Sequence, residues 1–204
     1  MQKFLIVLMV NSLRLLMADD FYFPLAVGNR WEYDNGFSIT IMKQFQKGDT
    51  IFYGFTSYPW PDSLPQDIWD SASTWEDFTN NFMAQVPSGF IMKDTLGGLA
   101  TTMLATPIAV GQSWKTPIET ITHSEPIEVE FKCIGKENVT VPAGTFANCW
   151  KVKTQFEKED TLLGNYTIIQ YIWFADGVGM VKDSLAIPER IEIRTTRLVS
   201  YQLQ

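Results

Sequence analysis

Apolar and polar residues alternate along most of this 204-residue chain, the two-residue period of β-strands with one face buried. Phe37, Ile39, Ile41 and Phe45 alternate with Ser38, Thr40, Met42 and Gln44. Asp34-Asn35-Gly36 just before them predicts a type I′ hairpin, because Asn and Gly accept positive φ. Gln46-Lys47-Gly48-Asp49 predicts the next turn, after which Ile51, Tyr53 and Phe55 resume the alternation. Residues 31–57 therefore read as a three-stranded meander. Residues 166–174 are apolar on both faces, with Tyr166, Ile168, Ile172 and Phe174 on one side and Ile169, Tyr171 and Trp173 on the other. Such a strand is covered on both sides or lines a filled barrel. Asp176-Gly177 turns it back into a strand over 178–186. The last strand, 191–203, sets Ile191, Ile193, Val199, Tyr201 and Leu203 on one side. Helix signals are scarce, with one short turn of helix expected over 65–72.

The sharpest local signal is Val139-Thr140-Val141-Pro142-Ala143-Gly144-Thr145-Phe146. Closing a hairpin over Pro142 to Thr145 pairs Val141 with Phe146 and Phe131 with Phe156. The apolar faces of 127–141 and 146–156 then coincide, as a correct register requires. This register puts Cys133 on the core face and Cys149 on the opposite side with Lys151 and Lys153. The two thiols are then too far apart for a disulfide, which needs Cα atoms within about 7 Å. One internal echo stands out: Pro24-Leu25-Ala26-Val27-Gly28-Asn29-Arg30-Trp31 returns 83 residues later as Pro107-Ile108-Ala109-Val110-Gly111-Gln112-Ser113-Trp114. It marks either two similar ways into a sheet or a duplicated half-sheet. The fold class is all-β: a single antiparallel, strongly curved sheet or partly open β-barrel.

Composition narrows the setting. Lys3, the apolar run over 4–10 and its continuation over 13–18 have the form of a secretory signal peptide, with Ala18 as the cleavage position and one β domain over 19–204. No later stretch is long and apolar enough for a transmembrane helix. Losing Lys3 and Arg14 with the leader lowers the net charge of −7 by two. A chain this acidic is a poor partner for nucleic acid, since it has few cations to neutralise phosphates.

Catalytic constellations are sparse. His123 is the one histidine of the sequence, and its neighbour Ser124 would point to the opposite side of a strand. No Gly-x-Ser-x-Gly elbow or glycine-rich phosphate loop occurs, and a catalytic zinc normally takes more than one histidine. No catalytic residue, metal site or cofactor is expected. Residues 58–78 are the most unusual stretch: Tyr58, Trp60, Trp69 and Trp75 lie among Asp62, Asp67, Asp70, Glu76 and Asp77. Rings beside carboxylates suit sugars, closely spaced acids suit calcium, and a tryptophan cap on one end of the core is the structural alternative. Pro59, Pro61 and Pro65 cannot donate to a sheet ladder, which makes this segment an excursion from the sheet and a lid over its opening.

Four stretches together resemble a family of uncharacterised exported bacterial β-proteins. They are the start Pro24-Leu25-Ala26-Val27-Gly28-Asn29-Arg30-Trp31-Glu32-Tyr33; the Val139 to Phe146 motif with Cys149-Trp150-Lys151-Val152; Tyr171-Ile172-Trp173-Phe174-Ala175-Asp176-Gly177-Val178-Gly179-Met180-Val181-Lys182; and Leu198-Val199-Ser200-Tyr201. The resemblance implies a curved antiparallel sheet outside the cytoplasm and implies no activity. The resulting expectation is a secreted or periplasmic binding protein that holds an apolar ligand, a small molecule or lipid, in the concave face of its sheet. Trp60, Trp69, Phe131, Trp150 and Trp173 are the candidate contacts. The alternative is a surface carbohydrate-binding or protein-interaction module that uses residues 58–78. N-terminal sequencing of protein recovered outside the cytoplasm should find a chain starting at or near Asp19; an intact Met1 would remove the export signal from the account.

Overall fold

The computed structural model describes residues 23–56, 81–93, 98–118, 125–158 and 164–204. The expected leader, the helical turn over 65–72, Trp60, Trp69 and His123 lie outside the described residues. Within them, twelve strands form one antiparallel sheet that is nearly closed into a barrel. In chain order these are β1 (Arg30–Tyr33), β2 (Ser38–Lys47), β3 (Thr50–Thr56), β4 (Asn81–Val86), β5 (Gly89–Lys93), β6 (Thr101–Ala105), β7 (Ser113–Ile118), β8 (Ile127–Val141), β9 (Gly144–Lys158), β10 (Tyr166–Ala175), β11 (Gly179–Ile187) and β12 (Glu192–Gln202). Every consecutive pair is hydrogen-bonded except β6 and β7, and β12 returns to β1. The sheet is thus two six-stranded meanders joined by a backbone ladder at β12–β1, with a seam at β6–β7.

The two copies of the sequence echo open the two meanders, and their hydrogen bonds match. Gly28 N–H donates to the Ile41 carbonyl at 2.8 Å, and Gly111 N–H donates to Cys133 at 2.8 Å. Ile41 N–H returns to Asn29 and Cys133 N–H returns to Gln112, each at 2.9 Å. Gly28 and Gly111 adopt φ of 93° and 91°, a conformation that costs a residue with a Cβ and leaves glycine free. Each motif ends in a tryptophan whose indole N–H reaches a backbone carbonyl: Trp31 to Val178 at 2.8 Å, Trp114 to Thr102 at 2.9 Å. These correspondences favour the duplicated half-sheet of the two readings.

The halves differ where their outer strands meet. β1 and β12 share a ladder running from Arg30–Gln202 to Tyr33–Leu198. β6 and β7 are latched by side chains instead. The Thr116 hydroxyl accepts from Thr102 N–H at 2.8 Å and donates to the Ala100 carbonyl at 3.4 Å. The Thr101 hydroxyl donates to the Pro117 carbonyl at 2.9 Å. Pro117 has no N–H to offer a ladder, which is tolerated at an edge.

The principal core joins both halves, with Trp31, Ile41, Phe55 and Met83 from the first and Val129, Phe131, Val152, Ile172 and Leu198 from the second. Gln170 and Asp183 are cross-strand neighbours of this face, joined Nε2 to Oδ1 at 3.0 Å; burial pushes the Asp183 carboxyl above its ordinary range. A second cluster of Phe52, Phe82, Ala84 and Ile91 covers the other face of β3–β5.

Several expected registers are corrected. The β8–β9 turn is closed by two residues, not four: Val141 faces Gly144, Val139 faces Phe146, and Phe131 faces Thr154, not Phe156. The slip is by two, so Phe131 keeps its core face. Irregularities near Ile134 and Asn148 offset each other along the pair. Asn148, at φ 53°, sits in the second, and Cys149 beside it, opposite Glu137, is buried although it keeps the alternation of Lys151. The thiols are free, and burial pushes both above their ordinary range, a state that slows oxidation. In the Asp34-Asn35-Gly36 turn only Gly36 takes positive φ, so it is not type I′. A bulge between Ile41 and Lys43 sends Phe45 to the second cluster. On β12 a bulge at Val199 leaves Leu198 as the buried side chain, whereas Ile191 and Ile193 are exposed.

Thr116 tests the latch. Its hydroxyl is buried, so Thr116→Val strands the Thr102 N–H. The expected loss in urea unfolding is about 1–3 kcal/mol; an unchanged midpoint would show that the seam carries no stability.

Candidate functional site

Strands β8 to β12 align over three successive rungs on one face, with the β8 irregularity near Ile134 between the first and second, and cross-strand partners share that face. The first rung is Gly135, Lys151, Trp173, Lys182 and Arg197. The second is Lys132, Lys153, Tyr171, Ser184 and Thr195, and the third is Glu130, Gln155, Ile169, Ala186 and Ile193. The intervening rungs carry Val152 and Ile172, which are buried, whereas Lys132, Gln155, Ile193 and Arg197 on this face are exposed, so this face is the outer one. It gathers Lys132, Lys151, Lys153, Lys182 and Arg197 on two adjacent rungs of a chain with net charge −7.

Trp173 organises the first rung. Lys151 Nζ lies 4.9 Å from its ring centroid and Lys182 Nζ lies 4.5 Å away. Lys151 is also 5.5 Å from the Tyr171 ring. The Trp173 indole N–H donates to Glu137 Oε1 at 2.6 Å, and Lys151 Nζ reaches the same oxygen at 3.2 Å. The ring faces attract the ammonium groups, by about 0.5–1 kcal/mol each at exposed sites. Trp173 itself is buried, so it positions the lysines. The Glu137 carboxyl is held below its ordinary range, first by the Trp173 N–H and then by Lys151. At the far edge of the rung, Arg197 leans toward Asp34 at 3.8 Å.

Of the residues expected from sequence, Phe131 is a packed core residue, stacked on Trp114 with ring centroids 5.8 Å apart. Trp150 alternates to the side of β9 opposite Lys151, half-buried beneath Lys136, whose Nζ is 3.5 Å from the ring centroid. Trp173 lies on the outer face, so the three do not line one cavity together. Sequence reasoning missed Lys132, Lys182, Arg197 and Glu137; the alternating Lys151 and Lys153 were the visible signal. Among the described residues no group of three or more His, Cys, Asp or Glu side chains comes together to hold a metal. No helix among them is long and apolar enough to cross a membrane.

A family model described as DUF3108-like matches residues 123–184, the stretch that spans β8–β10 and part of β11. Comparison with curated proteins finds no significant match. Among solved structures, the chain is similar to a protein from Bacteroides fragilis inferred to be exported, with a YmcC-like fold, at TM-score 0.51 and 14% identity over 90% of this chain and 100% of the other. A protein from Parabacteroides distasonis inferred to be a lipoprotein aligns at TM-score 0.46 and 16% identity, over 91% and 100%. The first likeness places the chain in the class of proteins with that barrel-like all-β fold.

The Glu137 contact has a pH signature. A carboxyl with a depressed native value contributes stability that is present above the ordinary glutamate range, about 4.3, and lost as pH falls through the native value. Tryptophan fluorescence of the native protein should shift in that acid window. Glu137→Gln should abolish the shift, and an identical titration in the variant would detach Glu137 from Trp173.

Proposed function

We propose that the protein is an exported, non-catalytic binding protein that holds a negatively charged component of the cell envelope on the outer face of β8–β12. The observation that carries this reading is the gathering of Lys132, Lys151, Lys153, Lys182 and Arg197 on two adjacent rungs of an acidic chain. Cations held together on a rigid sheet create a local positive field, which attracts multivalent anions despite the net charge. Trp173 and Tyr171 fix Lys151 and Lys182 in place and reduce what these two lose in freedom on binding. Export is supported by the leader-like segment before Asp19 and by the B. fragilis protein of like fold that is inferred to be exported. An apolar ligand inside the sheet has less support, because Phe131 is buried against Trp114 and Trp173 lies on the other face.

Dextran sulfate and neutral dextran make a direct test. The protein should bind the sulfated polymer with an affinity that falls as salt rises, and should ignore the neutral one. Lys153→Glu with Lys182→Glu should weaken binding by about tenfold or more, since each change replaces attraction with repulsion. Equal binding of both polymers, or an unaffected double variant, would contradict the proposal.

A further inference from the structure

On β10–β12 the third rung of the same face is aliphatic, with Gln155 and Glu130 continuing it on β9 and β8. Ile169, Ala186 and Ile193 are cross-strand neighbours on β10, β11 and β12, and Ile193 is 73% exposed. Two residues before it stands Ile191, 95% exposed, just after the 3-10 turn Pro188–Arg190. Ile191 has φ 52° and ψ 34°, a left-handed conformation that is a genuine outlier for a β-branched residue. A strained backbone that presents a bare isoleucine to water stabilises nothing in the fold, so the position calls for a partner. The charged groups around this knuckle have local partners. Glu192 pairs with Arg194, and Glu189 accepts Thr167 N–H at 3.1 Å. Arg190 lies over the Tyr166 ring at 3.9 Å.

The face therefore runs in a fixed order: Ile191 and the aliphatic rung, then Tyr171 with Ser184 and Thr195, then Lys151, Lys182 and Arg197 around Trp173. Along one strand, Ile193 and Arg197 are separated by roughly 13 Å at strand rise. That sequence of aliphatic, aromatic-hydroxyl and cationic groups matches the layers of a bilayer surface, from acyl boundary through interface to anionic headgroups. We propose that the outer face of β10–β12 docks on an anionic lipid surface, with Ile191 and Ile193 as the apolar anchor and the lysine–arginine rungs over the headgroups. This rests on the cationic-face reading above and names its partner. Charge complementarity selects the lipid: a protein partner for the isoleucines alone would leave the adjoining cation rungs unmatched.

Co-flotation with vesicles tests it. The wild-type protein should float with vesicles of equal parts phosphatidylglycerol and phosphatidylcholine and stay behind with phosphatidylcholine alone. Ile193→Ser and Ile191→Asn should each lower the vesicle partition coefficient by about tenfold, the scale of one buried aliphatic side chain. Ile191→Asn should also raise the melting temperature, since Asn accepts the left-handed conformation, which separates lost docking from lost folding. Both variants should bind dextran sulfate like the wild type. Variants that float as well as the wild type would overturn the inference, as would a dimer in sedimentation velocity that Ile193→Ser dissociates. Dextran sulfate binding without flotation rejects the lipid surface and leaves the cationic face standing; failure to bind dextran sulfate rejects the cationic face itself.

Discussion

The β12–β1 ladder is the constraint on which the rest of the structure depends. Without it the chain is two separate six-stranded meanders, each with a long apolar face open to water. With it, Trp31, Tyr33 and Leu198 close over the same core as Phe131, Val152 and Ile172. Tyr33 and Leu198 are direct partners in that ladder, and the Tyr33 hydroxyl donates across to the Met180 carbonyl at 3.1 Å. The last strand of the chain therefore holds its first, and the barrel-like shape follows from a pairing between residues more than 160 positions apart. The β6–β7 seam is the counterpart junction in the pseudo-repeat. There the same closure rests on three side chains, Thr101, Trp114 and Thr116, in place of a run of backbone bonds.

The two halves share their plan, six antiparallel strands opened by matching motifs, and differ in surface. In the first half the outer face of β3–β5 is apolar and buried in its own cluster. In the second half the corresponding exterior is ordered by charge. The difference arises from side chains at alternating positions of long strands. β8 and β9 each span fifteen residues, long enough for inward residues to serve the core while outward ones build three consecutive rungs. Trp173 links the two roles. Its strand neighbours Ile172 and Phe174 are core residues, while its own ring and N–H arrange Lys151, Lys182 and Glu137.

Strands β1–β3 and β7–β12, the two openings of the sheet and the free thiols were legible in the sequence, because each rests on local alternation or on turn residues; β4, β5 and β6 are short and were not legible. The register of the β8–β9 hairpin was legible only to within an even slip. Alternation fixes which face a residue takes and is blind to a shift of two, and the paired irregularities near Ile134 and Asn148 leave no apolar trace. Cys149 shows the limit most plainly: its parity matches Lys151 and Lys153, yet the left-handed Asn148 and the bulge around it bury the thiol. On β12 the apolar positions Ile191, Ile193, Val199 and Tyr201 read as a core face, and the bulge at Val199 gives that place to Leu198. The cationic face was beyond local reading for a different reason. Lys132, Lys151, Lys182 and Arg197 come from four strands and meet only once strand order and register are known.

Lysine footprinting by acetylation and mass spectrometry, with and without dextran sulfate, reads the cationic face residue by residue. Lys132, Lys151, Lys153 and Lys182 should lose reactivity together when the polyanion is present, while Lys43, Lys47 and Lys115 on other strands react as before. Uniform protection of all lysines, or protection confined to the first half of the chain, would contradict binding at that face.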